Sequence, residues 1–449
     1  MQRDRRRRIM SNPYLPNWEY IPDGEPRVFG DRVYIYGSHD KAGSDEFCDI
    51  KLKVWSAPVS NPTDWICHGD SFLTANNGER DADADWADGQ PLFAPDVVEK
   101  DGKYYLYAYI QNRKGCVAVS DKPEGPFQVV SQYQYSKEEL EKFDRGTFID
   151  PGVLVDDDGR VYIYCGYLHS YAAEVNPDNM YEIIEGTLVD NIIPEEAPFS
   201  FFEACSPRKV GDTYYLIYSS QRPSCLVYAT SKSPLGPYTY QGVIIDNGID
   251  YPGGNDHGSI CKVGEQWYIF YHRMTNGTIM SRRGCVEKIQ ILEDGSIPQV
   301  EMTSLGFEDS LNPYQITDAD IACVLKGGCL ITEKDLFNRV ITNITDGCVI
   351  GYRYFNFGPS SNNEYGEMVM HINGMGCRGK IHILIDGEDG EEIGCVDFGM
   401  NDGVTRGKVK AVTGIHSVFF KVEAGFSGGF VDMFKGRQLF ELKQFAFCK

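Results

Sequence analysis

Gly30-Asp31-Arg32-Val33-Tyr34-Ile35-Tyr36-Gly37-Ser38 is a turn pair followed by a run of β-branched and aromatic residues, and the chain writes this pattern five times. It returns as Asp101-Gly102-Lys103-Tyr104-Tyr105-Leu106-Tyr107-Ala108-Tyr109 and as Asp158-Gly159-Arg160-Val161-Tyr162-Ile163-Tyr164-Cys165-Gly166. The last two copies are Gly211-Asp212-Thr213-Tyr214-Tyr215-Leu216-Ile217-Tyr218-Ser219 and Gly264-Glu265-Gln266-Trp267-Tyr268-Ile269-Phe270-Tyr271-His272. Such composition belongs to a strand buried on both faces. Aligned on Tyr34, Tyr105, Tyr162, Tyr215 and Tyr268, the copies stand 71, 57, 53 and 53 residues apart, the period of a propeller blade rather than of a helical solenoid.

A second mark follows the first at a matching offset. Trp55-Ser56-Ala57-Pro58, Ser120-Asp121-Lys122-Pro123-Glu124-Gly125-Pro126-Phe127 and Ser231-Lys232-Ser233-Pro234-Leu235-Gly236-Pro237-Tyr238 lie where the next strand of a four-stranded blade ends in a turn. The two repeats predict an all-β chain: a five-bladed β-propeller over residues 11–305, a linker over 306–318 and a β-sandwich over 319–449. In the sandwich segment Glu367 to Ile372, Lys380 to Ile385 and His416 to Val422 alternate as short strands between Gly and Asp turns. Ser136 to Phe143 reads as a helical insertion capped by Ser136. Residues 1–10, with the basic run Arg5 to Arg8 and no apolar stretch behind it, read as a disordered leader.

At 449 residues the chain exceeds one core, which fits two domains. A formal charge of −22 would repel nucleic acid and anionic membranes, so the expected partner is a neutral small molecule. Fourteen cysteines are scattered without clustering, several inside apolar strands, as buried free thiols of a reducing compartment would be. The expected location is the cytoplasm.

Acids fall at the edges of blade strands. Glu25 precedes the first blade strand, Asp150 precedes Gly152-Val153-Leu154-Val155, and Glu203 precedes Pro207-Arg208-Lys209-Val210. All three are expected to look into the central tunnel, where crowding would force their pKa values apart and make one an acid and another a base.

Phe148-Ile149-Asp150-Pro151 with Asp156-Asp157-Asp158-Gly159, Phe93-Ala94-Pro95-Asp96-Val97, Phe202-Glu203-Ala204-Cys205-Ser206-Pro207 and Asp256-His257-Gly258 together resemble glycoside hydrolase family 43. The resemblance implies inverting hydrolysis of arabinofuranosides, xylosides and related plant-wall oligosaccharides. It implies Glu203 as general acid, Asp150 as the carboxylate that tunes and orients that acid, and Glu25 as general base. The family usually carries Asp at the base position, and Asp23, two residues earlier, is the alternative. It further implies Phe93 and Asp96 in the sugar pocket, Arg282 reaching a sugar hydroxyl, and His257 near a structural calcium ion in the tunnel. No cofactor is implied for the chemistry.

In the last segment Val340 to Tyr352 and the closing strand Phe440 to Phe447 resemble family 6 carbohydrate-binding modules. All five tryptophans precede residue 268, so this segment has no tryptophan platform for a polysaccharide. It is expected to pack on the propeller and shape the active-site rim or an oligomer contact rather than bind sugar.

Overall fold

The computed structural model describes residues 11–112, 115–132, 149–221, 223–360 and 363–449. The helical insertion at Ser136 to Phe143 and the leader at 1–10 fall outside the described residues.

Five antiparallel sheets form a propeller. Blade one holds Glu25–Phe29, Arg32–Tyr36, Lys51–Pro58 and Ile66–Leu73; blade two holds Leu92–Lys100, Lys103–Ile110, Cys116–Ser120 and Gln128–Gln132. Blade three holds Gly152–Val155, Val161–Gly166, Ser170–Val175 and Val189–Asp190; blade four holds Phe201–Val210, Thr213–Ser220, Leu226–Ser231 and Thr239–Ile245. Blade five, Ser259–Val263, Gln266–Thr275 and Thr278–Ile289, has three strands among the described residues.

The fivefold sequence repeat is the second strand of every blade, sandwiched inside its sheet and packed on both faces. The expected turns do follow the third strands, which end at Pro58, Ser120 and Ser231. The outer edge of blade five is met by the N-terminal segment: Asn12 uses its side-chain amide as a strand would use its backbone, donating to Val286 C=O at 2.8 Å and accepting from Val286 N–H at 2.9 Å. That pairing ties the two ends of the propeller sequence together and covers an otherwise open ladder.

The first strand of each blade lines the axis, blade one lying against blades two and five. Along the tunnel runs a ladder of alternating charges. Arg27 grips Asp96 with two hydrogen bonds of 3.0 and 2.6 Å, donates to Val153 C=O at 2.9 Å, and lies 3.5 Å from Glu25. Glu25 also pairs with Arg208 and lies 3.0 Å from the Ser206 hydroxyl, while Arg208 Nε donates to Ile260 C=O at 2.9 Å. Two acids and two bases thereby touch all five blades, and Glu25 and Asp96 are almost wholly buried.

The C-terminal β-sandwich is one rolled sheet of eleven strands, in which the closing strand Phe440–Cys448 pairs with Asn338–Ile344 and Tyr365–Gly374. Its apolar core continues into blades four and five, through Ile244, Ile260, Ile269 and Tyr271 on one side and Ala322, Val324 and Ile331 on the other. Polar links reinforce the contact. Arg283, fully buried, reaches Asn17 at 3.1 Å and Asp320 at 3.4 Å, and Tyr20 donates to Glu333 at 2.7 Å.

Removing one partner from a buried ion pair strands the other charge. Arg208→Met is expected to lower the unfolding free energy by about 3–5 kcal/mol, and adding Glu25→Leu to recover most of it. Urea denaturation of both variants checks this; a single-variant loss below about 1 kcal/mol would mean the ladder carries no such weight.

Candidate active site

At one end of the tunnel the first strands open into a cavity of about 220 Å³. Its polar lining is Asp23, Asp150, Glu203, Asn255, His257 and Arg282; Phe47, Phe93 and Tyr167 supply aromatic faces. This is smaller than the clefts that swallow drug-sized ligands and suits a single sugar ring.

The carboxylates reach the cavity by local backbone devices. Asp23 and Asp150 each sit two residues before the first strand of their blades, both left-handed with φ of 55° and 53°. Aspartate tolerates this conformation better than most residues, and the turn it makes swings the side chain over the tunnel mouth. Glu203 lies inside its strand, between two register shifts, with Ala204 at φ 70°. The bulge re-aims Glu203 out of the pleat. Blades three and four touch here: a Cβ on Gly152 would stand 2.1 Å from Cys205 O, so only glycine lets Asp150 approach Glu203.

Two of the residues expected here are elsewhere. Glu25 does not line the cavity. It is the first residue of its strand, one level deeper, where Arg208, Arg27 and Ser206 consume its carboxylate. The register position matching Asp150 is Asp23. Asp96 likewise lies below the cavity, 1% exposed, bound to Arg27 and to the Val153 N–H at 2.7 Å. Phe93 does line the cavity, its other face stacked on Tyr109 at 6.0 Å.

Arg282 is in the cavity wall with its fork already occupied. Asp40 takes Nε, Nη2 and the backbone N–H at 2.8, 2.9 and 2.9 Å, leaving Nη1 to hold Asp23 at 2.8 Å. Nothing in the sequence singled out Asp40, because its role exists only across the 242 residues that separate it from Arg282. The Asp23 N–H points at His272 Nδ1, 3.4 Å away, and His272 Nε2 donates to Asn255 C=O at 2.9 Å, which fixes that imidazole as neutral.

Electrostatics separate the three acids. Burial raises Asp23, but the Arg282 guanidinium, helped by the Ser38 hydroxyl, brings it below the ordinary aspartate range. Burial, then the charge on Asp23, pushes Glu203 up to about 7, against the opposing pull of Arg282 and a hydrogen bond from Asn255. Burial, then the charges of Glu203 and Asp23, lifts Asp150 well above the aspartate range. Asp150 and Glu203 therefore titrate as a unit that holds a proton at neutral pH while Asp23 stays ionised. One ionised and one protonated carboxyl facing a sugar-sized cavity is the equipment of a glycosidase.

Comparison with known proteins agrees. The glycosyl hydrolases family 43 model matches residues 63–297, and the chain belongs to that family. A xylosidase/arabinosidase of Thermoclostridium stercorarium is 39% identical, over 93% of this chain and 86% of its own length. The crystal structure of a family 43 arabinoxylan arabinofuranohydrolase from Bacillus subtilis in complex with cellotetraose shares the fold at TM-score 0.54 and 24% identity, covering 98% of this chain and 97% of that one. A family 43 β-xylosidase/α-arabinofuranosidase from a compost microbial metagenome, in complex with xylotriose in calcium-free form, matches at TM-score 0.52 and 28% identity, over 63% of this chain and 94% of that one.

Calcium asks for six to eight oxygens. His257 Nδ1 has Asp150 at 3.7 Å and Asp23 at 3.9 Å beside it, while the deeper carboxylates Glu25 and Asp96 already neutralise arginines. Burial first, opposed by Asp23, brings the His257 pKa down to about 4, so the ring is neutral. Among the described residues no group of three or more His, Cys, Asp or Glu is arranged to hold a metal with side chains alone.

The pH profile of kcat/KM should fall on the alkaline side with an apparent pKa near 7, as the pair containing Glu203 loses its proton, and stay level on the acid side until Asp23 protonates. An alkaline limb that begins only above pH 9 would contradict it.

Proposed function

We propose that this glycosidase releases single xylose or arabinose units, with inversion, from short xylan-derived oligosaccharides. Asp23 acts as the general base that activates water, Glu203 as the general acid that protonates the leaving oxygen, and Asp150 as the carboxylate that keeps Glu203 protonated and oriented. The observation that carries this reading is the split between Asp23, held ionised by Arg282, and Glu203, held protonated by burial, across one small cavity. The named activities of the relatives support the choice of pentose, and the cavity's size supports removal of one sugar at a time.

The sandwich domain, with its likeness to family 6 modules, serves in this reading as a buttress for the rim. The Glu333 N–H donates to Asn276 at 2.7 Å, and Asn276 donates to Ser281 at 2.8 Å, next to Arg282. A cytoplasmic location is part of the same proposal. Free, buried thiols such as Cys116, Cys165 and Cys225 favour it, and it would limit the substrate to imported oligomers.

Proton NMR of the first-formed anomer is the test: the product should appear with inverted configuration, and retention would overturn the roles assigned to Asp23 and Glu203. Glu203→Gln should lose about a thousandfold in kcat on alkyl or sugar leaving groups and far less on activated aryl ones, since only the former need protonation. Equal losses on both would rule Glu203 out as the acid.

A further inference from the structure

The turn between the second and third strands of blade three carries a histidine gripped by two carboxylates. His169 Nδ1 lies 2.5 Å from Glu195 Oε1, and Nε2 lies 2.8 Å from Asp190 Oδ1. A neutral imidazole has one N–H and one bare nitrogen, so it can satisfy only one carboxylate. Acceptors at both nitrogens call for the imidazolium. Burial works against that charge, but hydrogen bonds to Glu195 and Asp190 outweigh it and raise the histidine's proton affinity. Among the described residues the ring also meets Tyr171, edge-on at 4.9 Å.

The clamp joins two segments that lead to the cavity-lining residues Tyr167 and Glu203. Asp190 ends the outer strand of blade three and is paired in register with Tyr171, while Glu195 belongs to the segment that leads into the strand bearing Glu203. On the other side of the same turn is Tyr167, which lines the cavity, is 43% exposed, and packs its ring 5.3 Å from that of Phe202. Between them Leu168 is left-handed and donates its N–H to Phe202 C=O at 2.6 Å. The turn closes tightly on itself, and a Cβ on Gly166 would stand 2.0 Å from His169 O. A shift of His169 is therefore passed to Tyr167 and to the backbone beside Glu203.

We propose that His169, as an imidazolium bridging Asp190 and Glu195, is a positioning residue that sets Tyr167 at the cavity mouth, so that substrate binding rather than turnover weakens when its proton is lost. This rests on the reading that the cavity takes a sugar. The sign follows from the contacts: a proton bound more tightly in the folded state keeps the clamp closed at low pH, and the clamp is lost as pH rises through the folded-state value. Asp190 and Glu195 are 72% and 44% exposed, so the clamp is screened by salt and its effect is modest.

The test has two arms. Proton NMR should show the His169 C2 proton, assigned by its absence in His169→Gln, titrating above about 6.5 and moving down in Asp190→Asn/Glu195→Gln. On an aryl pentoside, wild-type KM should rise about threefold across that midpoint with kcat following its own profile. His169→Gln should show the higher KM at every pH, and His169→Arg, a permanent cation, the lower KM at every pH. A midpoint at or below that of free histidine, or a His169→Gln KM that tracks wild type, would overturn the proposal. Absence of turnover on every aryl pentoside would instead overturn the parent reading, while the NMR midpoint would still decide the charge on His169.

Discussion

The structure depends on four charges stacked in the propeller axis. Asp96, Arg27, Glu25 and Arg208 alternate in sign, and their bonds to Val153, Ser206 and Ile260 bring every blade into the set. A five-bladed ring leaves an axial channel that aliphatic side chains do not fill, and this chain fills it with a neutral ladder of long side chains. Such a ladder adds little net stability over a well-packed apolar plug, but it bonds residues of all five blades into one arrangement at the axis. That arrangement is what an active site assembled from blades one, three, four and five requires.

On that base the chemistry is a matter of depth. Carboxylates one level down are paired with arginines. Among the described residues the mouth holds three carboxylates and a single arginine, already committed through Asp40 to Asp23. The shortage of positive charge leaves Asp150 and Glu203 to share their burden with a proton. The ionised and the protonated carboxyl are thus distinguished by which one Arg282 touches, and the neutral histidines 257 and 272 keep further charge out.

Much of this was written in the sequence, and the misreadings are informative. Five tyrosine-rich strands announced the blades because each is buried on both faces and has no freedom of composition. That Asp150 and Glu203 line the cavity follows from their place at blade edges, and for Phe93, His257 and Arg282 that placement was expected from likeness to a family. The sequence left the base position between Glu25 and Asp23: the strand of blade one begins at Glu25 itself, so the mouth position falls on Asp23. Only the shared left-handed turn at Asp23 and Asp150 shows that register, and a turn angle is not visible in residue identity. Asp96 was misread because the bulge between Phe93 and Asp96 shifts it downward to Arg27. Asp40, Asn255 and Tyr167 left no sequence signal, since each acts through a partner far along the chain or through a loop whose path is set by packing.

The most direct check on this picture is a crystal structure of the Glu203→Gln enzyme holding an uncleaved xylo- or arabino-oligosaccharide. The sugar's anomeric carbon should sit between residue 203 and Asp23, with a water on the Asp23 carboxylate facing it and Glu25 still locked to Arg208 beneath. A nucleophilic water held by any other carboxylate, or a sugar bound outside this cavity, would contradict the account.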